Sequence, residues 1–376
     1  MTRMPEPNSL VNLNAPAQTP LKSHLPSLDG MRAISILLVI GGHCTLWLNS
    51  PMKYSGYFGQ LGVSTFLVIS GLLITWLMIR ERVAIGSLSL KNFYIRRFLR
   101  IIPVFWFLLA IVTLLKLADF ASITWLDILR AATFTHNYPL SFNHSNDYSL
   151  WLQHTWSLSL EEQFYLIWPS LFVLLSKKHA ARLAVALAFS GPILRLLSYY
   201  LFPQLRGYEG FEFQTRIDIL MAGCAAAFIL ESQEWKVRIE RIPVRPALAA
   251  TMLFLLVANP ILATQLKLHS RQYAIVNLIR PPIEAVAIAV TLLILVAGKR
   301  GTAFRWANLP IAKHVGKLSY SLYIWQQLFL VVGHGPNAIS LIWRLPVTYL
   351  VAFCSFNFLE RPFVRLRSRF RHGVNV

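Results

Sequence analysis

About ten stretches of roughly twenty mostly apolar residues run through the chain, centred on residues 33–48, 58–79, 101–118, 158–175, 181–201, 215–231, 247–264, 281–297, 317–333 and 341–359. A run of that length matches the hydrocarbon thickness of a bilayer at the rise of an α-helix. In lipid every backbone amide must be satisfied within the chain, so runs this long are read as helices. The expected fold is all-α: a polytopic membrane helix bundle of about ten transmembrane helices, with no separate soluble domain. Composition supports this. Hydrophobic residues make up 55% of the chain and charged residues 14%, against about 25% charged in soluble domains. The same figures exclude a disordered chain and a disulfide scaffold. The segment 121–135 is expected to be a partial or re-entrant eleventh crossing. Residues 1–27, with Pro5, Pro7, Pro16, Pro20 and Pro26, read as a disordered cytoplasmic lead-in without a signal peptide. Residues 28–363 form the membrane domain, and 364–376 a basic cytoplasmic tail.

The chain carries 36 Lys and Arg against 16 Asp and Glu, a formal net charge of +20. In a soluble protein that would point to nucleic acid. Placement points elsewhere. With spans alternating in direction, 26 of the 36 basic residues fall on the side of both termini, among them Arg80, Arg82, Lys91 to Arg100, Lys236 to Arg245 and Arg361 to Arg371. The positive-inside rule makes that side cytoplasmic and the span number even. The expected location is the cytoplasmic (inner) membrane, multi-pass, with both termini cytoplasmic. The charge is then a topological mark with some attraction to anionic lipid, and no nucleic-acid partner is expected.

Cys44, Cys224 and Cys354 lie in apolar segments and read as small packing residues. His136, His144 and His154 fall in one long external segment at spacings that fit no zinc pattern. They are expected to be loop residues, and no metal is expected.

Ionisable groups within spans are costly, so each is a functional candidate. Asp29 and Arg32 are three apart at the start of the first span and can pair; Arg32 also suits a routine surface anchor. His43 stands about 16 Å further along the helix axis. It reads either as a general base near neutral pH or as a core histidine bonded to a neighbouring helix. The fourth span opens with Trp156–Ser157–Leu158–Ser159–Leu160–Glu161–Glu162–Gln163. Ser159 and Glu162 fit a capping box, whereas Glu161 has no such explanation and is a candidate to orient an imidazole. The sixth span brings Arg216 and Asp218 to a comparable depth. His43, Glu161, Arg216 and Asp218 are thus expected to converge at one level of the bundle.

A second cluster lies on the cytoplasmic side, where Arg96, Arg97 and Arg100 precede Pro103. Arg96 and Arg100 share a helical face. The cluster reads as a membrane-surface anchor or, because arginine forks suit phosphate, as a phosphate contact.

With these residues in view the chain resembles the acyltransferase-3 family of bacterial integral-membrane acyltransferases. Five segments carry the likeness. They are Leu28–Asp29–Gly30–Met31–Arg32–Ala33 leading to His43; Gly62 to Thr75, GVSTFLVISGLLIT; Phe93 to Pro103, FYIRRFLRIIP; Trp156 to Trp168, WSLSLEEQFYLIW; and Gly316 to Tyr323, GKLSYSLY, with Glu360–Arg361–Pro362–Phe363 closing the last span. The matches run in order from about residue 25 to 365.

The resemblance implies an enzyme that takes an acyl group, usually acetyl, from cytoplasmic acyl-CoA to a hydroxyl of a surface or secreted carbohydrate. Acyl-CoA (acetyl-CoA) is then a donor substrate, with no permanently bound cofactor. Arg32 and His43 become the functional pair of the first helix, Arg96, Arg97 and Arg100 contacts to CoA phosphates, and Glu161 or Glu162 a partner in the central cavity. Where the family often has a histidine after the Leu-Tyr of the ninth span, this chain has Gln326, which can only hydrogen-bond. Some relatives carry a C-terminal hydrolase-like domain. Here transfer is expected either to finish within the membrane domain or to pass to an envelope-biosynthesis partner protein. His43 would deprotonate the acceptor hydroxyl, Glu161 would fix its tautomer, and Arg216 or Gln326 would support the thioester oxygen. Tyr323 is a further cavity candidate, and an acyl-enzyme remains an alternative route. A small or lipid-linked acceptor, or a transporter of acyl or glycan groups, is the competing reading. A transporter would normally show repeated halves, and no counterpart of the His43 or Glu161 motif occurs in the second half.

Overall fold

The computed structural model describes residues 25–47, 55–138, 150–203, 210–264, 271–332 and 338–370. The lead-in up to residue 24, His144 and the tail beyond residue 370 lie outside them. Among the described residues every regular element is helical. In chain order they are α1 (Leu28–Trp47), α2 (Ser55–Ile85), α3 (Leu90–Leu117), α4 (Trp125–Ala132), α5 (Thr155–Leu174), α6 (Lys177–Leu201), α7 (Phe213–Leu230) and α8 (Gln233–Arg241). Then follow α9 (Val244–Leu253), α10 (Asn259–Thr264), α11 (Arg271–Ala297), α12 (Thr302–Ala307), α13 (Pro310–Leu330), α14 (Ala338–Ser355) and α15 (Arg361–Leu366).

Each expected span coincides with a helix, the seventh being built from α9 and α10 joined by a π-turn at Phe254–Ala258. Seven described segments are long and apolar enough to cross a membrane: those of α2, α3, α6, α7, α9–α10, α11 and α14 onward. The remaining three expected spans, α1, α5 and α13, are 20, 20 and 21 residues long. They carry His43, Glu161 and Gln326 respectively. Segment 121–135 contains only the eight-residue α4. Large apolar side chains such as Phe189, Ile193, Ile342, Trp343 and Leu350 are exposed on the outside, as expected of a multi-pass membrane protein whose solvent is lipid. Prolines within α3, α5, α6, α11 and α14 are tolerated as in other membrane helices.

α2 sits at the centre, flanked by α1 and α7; α13 covers the far side of α1, and α6 the far side of α7. Small residues make these crossings close. A Cβ on Gly71 would collide with the Leu220 carbonyl, and one on Gly223 with the Val68 carbonyl, so α2 and α7 approach backbone to backbone. Likewise Gly62 meets the Ser35 carbonyl of α1, and Gly316 meets that of Asp29. The chain of contacts α13–α1–α2–α7 is the frame on which the site hangs.

Local capping departs from expectation at α5. Ser159 does not cap this helix: the helix starts at Thr155, with His154 as the preceding residue. The Ser159 hydroxyl donates back to the Thr155 carbonyl at 3.0 Å. Glu161 and Glu162 therefore lie in the second turn, and Glu162 is no capping residue. One Glu162 carboxylate oxygen is buried without a hydrogen-bond partner among the described residues. Cys44 and Cys224 are buried, whereas Cys354 is exposed on the outer surface of α14.

Candidate functional site

Two cavities lie along the inner face of α1, and they share a wall. The first, the arginine chamber, offers about 80 Å³ to the centre of a water-sized group. It is lined by Arg32 of α1, Ser70 of α2, Arg97 and Arg100 of α3, Glu161 and Tyr165 of α5, and Tyr320 of α13. The second, the histidine chamber, is larger at about 420 Å³ and contains His43, Gln60, His154, Trp156, Phe211 and Gln327. Val63 of α2 and Tyr323 of α13 line both.

In the arginine chamber three guanidinium groups face one carboxylate. Glu161 accepts a hydrogen bond from Ser70 at 2.5 Å. Arg97 lies over the Tyr165 ring, 4.8 Å from its centroid. Arg32 has Asp29 one turn away, at 3.8 Å, the pairing that their spacing suggested. With Arg97 and Arg100 three residues apart on α3, three cations converge from two helices, an arrangement suited to phosphate oxygens. Val63, Phe66, Leu67 and Leu158 make the remaining wall apolar.

In the histidine chamber His43 Nδ1 lies 2.7 Å from Gln326 Oε1. A carboxamide oxygen only accepts, so Nδ1–H donates and the lone pair of the neutral ring is left on Nε2. The Gln326 amide nitrogen is buried without a hydrogen-bond partner. Gln327, one residue on, donates to the Leu150 carbonyl at 2.6 Å. The dividing wall is held as firmly. Tyr323 OH donates to the His154 carbonyl at 2.7 Å and accepts from Ser157. Trp156 meets Phe211 edge-on, with ring centroids 4.9 Å apart.

His136 and His154 lie in turns outside the helices, as expected, yet both are buried. His136 bonds Thr155 Oγ1 at 2.9 Å and lies 3.9 Å from Asp127. Burial pushes its pKa down to about 4 despite that carboxylate. The burial of His154 is not legible in this polar stretch because the ring it packs against, Tyr323, lies far along the chain.

The convergence expected at one level is not what the fold makes. His43 and Glu161 occupy different chambers. Arg216 stands behind the histidine chamber, bonded to the Gly210 carbonyl at 2.5 Å and to Gln60 at 3.4 Å, with its guanidinium 5.9 Å from the Trp156 ring centroid. Asp218 faces away, paired with Arg195 at 2.7 Å across α6 and α7. Arg96 also leaves the group. Its side chain turns to Glu81 at 2.7 Å and to the Phe370 carbonyl at 3.0 Å. At i and i+4 it shares only the broad helix face with Arg100; the cavity admits positions 97 and 100. Ser70, Tyr165, Gln60 and Gln327 line the chambers without having been singled out in the sequence, and His154 was named there only as a loop residue. Ser70 and Tyr165 had a signal, standing inside the Gly62 to Thr75 and Trp156 to Trp168 segments respectively.

The apolar helical bundle thus holds a cationic cavity and an imidazole cavity back to back. The acyltransferase-3 family model, described as an acyltransferase domain, matches residues 25–359, and the chain belongs to that family. It is 30% identical to a Staphylococcus aureus (strain COL) protein carrying a provisional O-acetyltransferase name, over 90% of this chain and 57% of that protein. It is 28% identical, with the same coverage of each, to the O-acetyltransferase OatA of Staphylococcus aureus (strain NCTC 8325 / PS 47). The chain thus spans somewhat more than half the length of the curated relatives it matches. No solved structure matches it.

Proposed function

We propose that the chain is a membrane O-acyltransferase that moves an acyl group, acetyl first of all, from cytoplasmic acyl-CoA to a hydroxyl of a carbohydrate on the opposite side. One observation carries this reading: the shared wall of Val63 and Tyr323, with Arg32, Arg97 and Arg100 on one side and His43 on the other. In this reading α1, α5 and α13 complete ten spans of the inner membrane, and both termini are cytoplasmic. The arginine chamber then lies toward the cytoplasmic donor.

The three arginines hold the CoA phosphates, and the thin pantetheine arm leads the thioester to the Val63–Tyr323 wall. Glu161, held by Ser70, moderates the concentrated positive charge. At the wall His43 Nε2 takes the proton of the acceptor hydroxyl while that oxygen attacks the thioester carbonyl. The attack leaves a tetrahedral oxyanion at the wall. Collapse breaks the carbon–sulfur bond, and the imidazolium returns its proton to the CoA thiolate. The products are an ester and free CoA, and His43 is again neutral.

The test is acetyl transfer by the full chain purified in detergent, coupled to mass spectrometry of surface glycans from a deletion strain carrying wild type or His43→Ala. A positioned base contributes roughly 10²- to 10⁴-fold, so His43→Ala should lose that much transfer while eluting as a folded protein. A folded His43→Ala that still transfers at the wild-type rate would sink the assignment.

A further inference from the structure

His154 is a buried imidazole of the histidine chamber that the proposed mechanism leaves idle. It is 4% exposed and lines the same cavity as His43; the Ile324 backbone carbonyl stands beside one ring N–H, and neither ring nitrogen makes a hydrogen bond of strict geometry among the described residues. Its position is nonetheless fixed. Tyr323 OH donates to its carbonyl at 2.7 Å, and its ring stands edge-on to the Tyr323 ring with centroids 5.5 Å apart. A buried ring nitrogen left without a full partner carries a desolvation cost, which an apolar side chain filling the same space would avoid. A cavity-lining imidazole of this kind is suited to a ligand that brings its own hydrogen-bonding groups.

We infer that His154 is a binding residue for the acceptor, hydrogen-bonding a hydroxyl of a polyhydroxylated carbohydrate while His43 acts on the neighbouring, reacting hydroxyl. The inference rests on the transferase reading and specifies its acceptor site. Burial, with His43 and His136 nearby, pushes the His154 pKa down to about 3. The ring is thus neutral at physiological pH, one nitrogen donating and the other accepting. A sugar hydroxyl both donates and accepts, so it is matched by such a ring. Trp156 and Phe211, edge-on in the same cavity, add the apolar surface on which a sugar ring stacks.

The experiment compares His154→Asn, His154→Phe and wild type, each as the full chain in the deletion strain and in detergent. O-acetyl groups on the surface glycan are measured beside CoA release from acetyl-CoA with water as acceptor. His154→Phe keeps the volume and loses both polar atoms. It should lose about tenfold or more of glycan acetylation, as expected for a deleted substrate hydrogen bond, with the KM for acetyl-CoA unchanged. His154→Asn keeps one donor and one acceptor and should recover a substantial part. His154→Phe acetylating glycan as well as wild type overturns the inference, and so does His154→Asn being no better than His154→Phe. An inactive wild type instead overturns the transferase reading, and this inference with it, so the two failures are told apart by the control.

Discussion

Gln326 stands to His43 as an orienting carboxylate stands to the histidine of a hydrolytic triad, but without charge. It selects the tautomer by accepting from Nδ1 and so leaves the basic lone pair on Nε2 of a cavity-lining ring. Replacing it with leucine removes the acceptor and keeps the bulk. Gln326→Leu should lower kcat by about tenfold to a hundredfold, less than the roughly 10²- to 10⁴-fold that the base itself supplies, with no change in the KM for acetyl-CoA. Gln326→Glu, which still accepts from Nδ1, should keep more activity than leucine; equal rates for both variants would mean that Gln326 does not orient the ring. His43 is legible in the sequence because an imidazole in an apolar run has few ordinary reasons to be there. Its orienting partner is not, since Gln326 lies 283 positions away and no local spacing can identify it. The Arg32–His43 interval already held a warning, because about 16 Å along one helix is too far for the two to touch the same atom. Their placement in two chambers follows from that distance.

At the scale of helices, the spans were legible because the cost of exposing backbone to lipid leaves a long apolar run no alternative to a helix. The crossings were not. A glycine inside an apolar run reads as a weak helix former, and only the neighbour reveals why it is there. Gly71 and Gly223 face each other's helices so closely that each would drive a Cβ into a carbonyl oxygen. Gly223→Val should therefore push α7 off α2. Because α2 also carries Val63 and Ser70, the displacement would reach both chambers. Overpacking a tight contact costs about 1–3 kcal/mol or more. Gly223→Val should lower the thermal midpoint in detergent and lose activity in proportion, while Gly41→Ala, whose Cβ meets nothing within 4 Å, should leave both near wild type. A Gly223→Val protein as stable as wild type would mean that the α2–α7 contact is not a tight one. The start of α5 makes the complementary point. The Ser159–Glu162 pattern is a sound capping signal, yet the helix begins one turn earlier because His154 and Thr155 are buried against neighbouring elements. Tertiary packing overrode a local motif.

Across the whole molecule the +20 charge divides into groups with different tasks. In the proposed ten-span arrangement most basic residues mark one face, and a few are drawn inward. Sequence proximity cannot separate them: Arg96, Arg97 and Arg100 look like one cluster, and only the packed bundle assigns Arg97 and Arg100 to the cavity and Arg96 to Glu81 and the chain's C-terminal segment. The difference can be measured. A hydrogen bond to a charged group contributes about 1.5–3 kcal/mol, a factor of roughly ten to a hundred in affinity. Arg100→Gln should therefore raise the apparent KM for acetyl-CoA by about that factor with little change in thermal midpoint, since its charge serves the ligand. Arg96→Gln should show the reverse. The KM should stay near wild type while the midpoint falls, because Glu81 and the Phe370 carbonyl lose their partner. Salt separates the cases again. Raising ionic strength should weaken acetyl-CoA binding by wild type more than by Arg100→Gln, because the variant has one fewer cation to screen. If Arg96→Gln raises the KM as much as Arg100→Gln does, the donor phosphates are held at the helix surface rather than in the chamber, and the wall of Val63 and Tyr323 is not where the two substrates meet.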